Sequence, residues 1–67
     1  AEWEALKEQY QHQCLCCLRK EPEITLVPDH VIPLVHGGAN DITNIQPLCP
    51  VCNTKKRRNS TDYRPQK

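Results

Sequence analysis

Two Cys-x2-Cys pairs, Cys14 with Cys17 and Cys49 with Cys52, bracket 31 residues in a chain of 67. A tight turn lets the two thiolates of such a pair reach one metal ion, and a second pair completes a tetrahedral set. A chain this short buries a small share of its surface and generally needs a staple. Its apolar residues are mostly aliphatic, with no Phe or Met, and Trp3, Tyr10 and Tyr63 are its aromatics. Zn²⁺ on four thiolates would contribute folding free energy on the order of 10 kcal/mol. Four sulfurs leave no open coordination position, so this metal is expected to be structural. Cys16 could replace Cys14 or Cys17, but neither exchange keeps the two-residue gap. A disulfide framework is the rival reading, although five cysteines cannot all pair.

The rest of the chain punctuates into short elements. Trp3, Leu6 and Tyr10 recur at helical spacing, so residues 2–11 read as an amphipathic N-terminal helix. Residues 14–20 read as a zinc knuckle. Ile24 and Leu26 alternate in a first strand from about 22, and Val31 to Val35 is a second β-rich run, which puts a hairpin at about 22–35. Gly37-Gly38 and Asn40-Asp41 mark a loop over 36–48, pinned by Ile42, Ile45 and Leu48. Pro50 suits the first position of a helix over about 50–58, because its missing N–H costs nothing there. Residues 59–67 read as an irregular tail. The whole is expected to be a single small α+β domain.

Net charge is +1 but unevenly placed. Residues 1–53 carry Lys7, Arg19 and Lys20 against seven acids, whereas residues 54–67 carry Lys55, Lys56, Arg57, Arg58, Arg64 and Lys67 against Asp62. A basic end beside an acidic body suggests a polyanion partner at one face, and a solvated tail is the plain alternative. No apolar run approaches the ~18 residues of a membrane span, and no charged-then-apolar leader is visible. The expected setting is cytoplasmic (bacterial or phage) or nuclear, not secreted, with no membrane partner.

Between the cysteine pairs lie Asp29-His30, His36-Gly37-Gly38 and Asn44, and Cys52-Asn53 and Lys56 follow. This constellation, from Cys14 to about Arg58, closely resembles the HNH endonuclease family. The resemblance implies a zinc-stabilised ββα-metal motif, a β-hairpin packed on a helix, here with an additional N-terminal helix. It implies a catalytic set of Asp29, His30, Asn44 and Asn53. Asp29 matches the acidic metal ligand, His30 the general base, Asn44 the residue tethering the base-bearing loop, and Asn53 the second metal ligand. The variant is therefore H-N-N, and an amide oxygen favours Mg²⁺ or Mn²⁺ over Zn²⁺.

The residue types suit phosphodiester hydrolysis. An unperturbed His titrates near ~6.5 and can take a proton from water at neutral pH. A divalent ion with few protein ligands keeps positions open for a phosphate. Asp29 and His30 are adjacent, and adjacent residues of a regular strand face opposite ways, so a strand end or bulge is expected. Lys55, Lys56, Arg57 and Arg58 are expected to contact phosphates, with His36 a further candidate. The expected activity is metal-dependent nicking of DNA, RNA remaining open, with little sequence preference and strong salt dependence. Targeting would come from other domains or proteins, and the oligomeric state is expected to be a monomer or weak dimer. The alternative is a catalytically silent zinc module that binds nucleic acid.

Overall fold

The computed structural model describes residues 1–65. Its elements are helix α1 (Glu2–Gln9), strand β1 (Val27–His30), strand β2 (Ile45–Leu48) and helix α2 (Pro50–Lys56), with 3-10 turns at Leu34–His36 and Ile42–Asn44. β1 and β2 pair antiparallel, Val27 opposite Leu48 and His30 opposite Ile45. α2 packs against β1, and α1 against β2. This is the small α+β fold with two helices and one antiparallel hairpin. Among the described residues, no helix is long and apolar enough to cross a membrane.

α1 places Glu2 and Glu4 in its first turn and Lys7 in its last, complementing the helix dipole. Trp3, Leu6 and Tyr10 are half-buried, with Trp3 against the core. Lys7 Nζ lies 5.7 Å from the Trp3 ring centre and 3.4 Å from Glu21. Glu21 also meets His12 Nδ1 at 3.1 Å and accepts the Leu26 N–H at 3.1 Å. The Leu26 N–H, His12 and Lys7 hold the Glu21 carboxyl below its ordinary value.

The hairpin corrects the expected boundaries. The first strand starts at Val27, and residues 31–35 are not a strand. Val31 adds a last bond in register, donating its N–H to the Asn44 carbonyl at 2.8 Å, and beyond Pro33 the chain coils at Leu34–His36. β-branched composition alone suggested pairing there, but Ile32, Leu34 and Val35 are all exposed. The true partner is Ile45–Leu48, inside the segment expected to be loop, and every residue in it is buried. A strand buried on both faces lacks polar alternation, and Pro47 masked it further. Pro47 sits opposite Pro28. Two residues without an N–H fit a non-hydrogen-bonded pair, and the Pro47 carbonyl turns outward to accept from Leu15 at 3.1 Å.

The core consists of Cys14, Leu26, Leu48, Cys49 and Cys52, with Trp3, Leu15, Cys16, Ile24 and Tyr63 packed on it. Three of the five fully buried members are cysteines of the two pairs, so core and metal centre coincide. α2 stops at Lys56, two residues earlier than expected, because Arg57 takes a positive φ of 54°. The tail is partly ordered: Tyr63 packs on the core, and Arg64 donates to the Thr43 carbonyl at 2.7 Å. Lys67 lies outside the described residues.

Candidate active site and metal centre

The cysteine turn is built by backbone. Cys14 donates its N–H to the Arg19 carbonyl at 2.8 Å, and Leu18 donates to the Cys14 carbonyl at 2.9 Å with φ of 68°. Pro50 starts α2 immediately after Cys49, which brings Cys52 back one turn later. The sulfurs of Cys14, Cys17, Cys49 and Cys52 lie within 4.8 Å of one another, positioned to hold one metal ion. Burial works against charge on Cys14, but the N–H groups of Cys17, Cys49 and Cys16 face its sulfur and bring its thiol down to about 7. Burial and the neighbouring thiols push the Cys52 thiol up. Gathering four thiols creates a group that is awkward to ionise without a cation and is completed by one. A soft, fully thiolate set with no fifth donor suits Zn²⁺. His12 turns to Glu21 instead.

A separate open groove of about 290 Å³ lies between the end of β1 and α2. Asp29, His30 and Asn53 line it, with Pro28, Pro33, Leu34, Val35, Arg57 and Arg58. Asp29 and His30 are the last residues of β1, paired in register without a bulge, and the strand end suffices to give both access to one groove.

Asp29 is 5% exposed, and protein donors occupy both sides of its carboxylate. Gln46 Nε2 donates to Oδ2 at 2.9 Å, and Lys56 Nζ lies 3.2 Å from the same oxygen. Oδ1 has only the Asn53 amide, at 3.4 Å. Lys56 also donates to the His30 carbonyl at 3.0 Å. The expectation that Lys56 meets phosphate is therefore corrected. Its side chain is buried, because a buried carboxylate requires a partner and the third residue after Asn53 points at it. Lys55 is exposed and lines a different groove, beside Cys49 and Cys52. Arg57 and Arg58 are the cations of the Asp29 groove.

His30 is half-buried, with Nε2 3.1 Å from Asn40 Oδ1. Asn44 braces the loop that leaves His30. Its Oδ1 accepts the Ile32 N–H at 3.0 Å, and its Nδ2 donates to the Ile32 and Ala39 carbonyls at 2.9 Å. Gly38 makes this clamp possible, since a Cβ there would fall on the Ile32 carbonyl and 2.8 Å from Asn44 Nδ2. Gly37 supplies the left-handed turn, at φ 86°. His36 is exposed on the preceding 3-10 turn and does not line the groove.

The sequence missed the site roles of Asn40 and Gln46 and gave Lys56 a different one. Asn40 read as a turn residue, and Lys56 as one of a basic run. Gln46 is fully buried: besides Asp29 it donates to the Thr61 carbonyl at 3.0 Å, and its Oε1 accepts the Tyr63 N–H at 2.8 Å. A lone amide among Ile45, Pro47 and Leu48 was the available signal.

The family model for the HNH endonuclease domain matches residues 14–59, more than half of the chain. The chain belongs to the HNH endonuclease family. The match covers the cysteine centre, both strands, the clamped loop and α2. The HNH chain is also 36% identical over 50 residues to Anaredoxin from Nostoc sp., an alignment covering 75% of this chain. It spans about 63% of the length of that relative. No solved structure matches it significantly.

Proposed function

We propose that this HNH domain is a divalent-metal-dependent endonuclease that nicks DNA with little sequence preference. The observation that carries the reading is the convergence of Asp29, His30 and Asn53 on one groove beside Arg57 and Arg58. Asp29 and Asn53 are the residues that would hold a catalytic cation. Asp29 Oδ1, whose one contact is the long one to Asn53, and the Asn53 side-chain oxygen form a hard, sparse donor set, which suits Mg²⁺ or Mn²⁺ better than Zn²⁺. Such an ion supplies charge neutralisation at the scissile phosphate. His30 is the proton acceptor for water. An Nε2–H donated to Asn40 leaves Nδ1 with its lone pair for that task. Asn44 acts through the loop as a positioning residue. Arg57 and Arg58 orient the backbone through phosphates. The cysteine centre holds a structural Zn²⁺, which would fix Cys52 and with it the adjacent Asn53.

One observation favours a second reading, a silent zinc module that binds nucleic acid: Lys56 and Gln46 already occupy Oδ2 of Asp29. Plasmid nicking with added Mg²⁺ or Mn²⁺ separates the two. The endonuclease reading expects nicking that falls roughly 10²–10⁴-fold in His30→Ala, the usual range for a lost general base. Binding without nicking under either metal would establish the silent module.

A further inference from the structure

Three of the five large apolar side chains left exposed among the described residues fall within one four-residue stretch: Ile32 at 45%, Leu34 at 49% and Val35 at 67%. Single exposed apolar residues are ordinary, but a cluster beside a polar site is informative. Leu34 and Val35 line the Asp29 groove together with Pro33. The stretch is not a loose loop. Asn44 fixes Ile32 through two hydrogen bonds, the Gly37 N–H donates to the Leu34 carbonyl at 3.0 Å, and Gly38 packs directly beneath Ile32. Polar contacts thus hold apolar side chains up to water. Besides Asp29, His30 and Asn53, the groove has the cations Arg57 and Arg58 and the apolar stretch of Pro33, Leu34 and Val35 among its lining.

A ligand matching such a groove carries anions along one edge and apolar faces along the other. A nucleic-acid strand has that form only where its bases are unstacked or unpaired, because a duplex hides base faces and presents phosphate and sugar outward. Apolar side chains inserted at base steps act on the same principle. We propose that the Leu34–Val35 turn is a base-contacting wall that selects unpaired or locally opened nucleic acid for this groove. The inference rests on the nucleic-acid reading above and names the substrate form it favours.

Binding measured apart from cleavage tests it. The zinc-loaded chain, with no Mg²⁺ or Mn²⁺ added, is titrated into a fluorescent single-stranded 12-mer and into the same sequence as a duplex. The doubly substituted chain Leu34→Ser, Val35→Ser should lose roughly five- to twentyfold in affinity for the strand, the scale of one lost base contact. Its slope of log affinity against log salt should be unchanged, because no phosphate contact is removed. Duplex affinity should change less than about twofold by the same argument. Val35→Leu should retain strand affinity, which shows that apolar contact rather than loop integrity is read. Equal losses on strand and duplex, or no loss on the strand, overturn the wall. Selective strand binding in a chain that nicks nothing leaves the wall standing and removes the nuclease reading.

Discussion

Asp29 shows how one residue can serve structure and site together. Its Oδ2 is committed to Gln46 and Lys56, its Oδ1 meets the Asn53 amide, and the residue lines the groove. Removing one member of a buried ion pair strands the other charge, at about 3–5 kcal/mol. Lys56→Met should therefore destabilise the metal-loaded chain by about that amount. Adding Asn at Asp29 should recover most of it, which denaturant unfolding of the two single variants and the double will measure. Gly38 permits a second expectation. Gly38→Ala forces a methyl onto the Ile32 carbonyl, whereas Gly37→Ala meets open space and only an unfavourable φ. Gly38→Ala should lose more stability than the roughly 1 kcal/mol expected of Gly37→Ala. Amide exchange at Ile32 should rise in the first variant only.

At the scale of elements, what carried a local mark in the sequence was legible. The cysteine pairs fixed the metal centre, Pro50 fixed the start of α2, and the Trp3, Leu6, Tyr10 spacing fixed α1. The order Asp29, His30, Asn53 led to a common groove. β2 left no such mark, since its alternation is erased by burial on both sides and its partner lies across a long loop. The roles of Lys56 and Gln46 went unread for a related reason: they depend on which long-range neighbour each residue meets. Gln46 ties β2 to the C-terminal segment. Gln46→Ala should leave Tyr63 N–H and the Thr61 carbonyl without their partner, so exchange at Tyr63 should accelerate while the cysteine centre stays loaded. The Glu21 contacts between α1 and the knuckle carry a pH dependence. A carboxyl held below its ordinary value of 4.5 stabilises the fold above that pH and loses the contribution as pH falls through its folded value. The stability advantage of the native chain over Glu21→Gln should be full at pH 7 and shrink below about 4.5. Proton competition at the cysteines is common to both chains and cancels in the difference.

For the whole molecule, the core is the cysteine centre with a thin apolar rim. Cys49→Ser should cost metal content and cooperative unfolding together, read by zinc release and circular dichroism. Metal retention should weaken as pH falls, because each ligand must lose its proton to bind. α2 carries Cys52, Asn53 and Lys56 within five residues, so one short helix serves the metal centre, the groove and the buried ion pair. That compactness has a practical consequence for enzymology. A strong chelator would strip sulfur-bound and oxygen-bound ions alike, and dismantling the fold would look identical to withdrawing a cofactor from an intact enzyme. Inactivation by chelator therefore becomes diagnostic only when the treated chain is shown to be still folded, or when Mg²⁺ alone restores it.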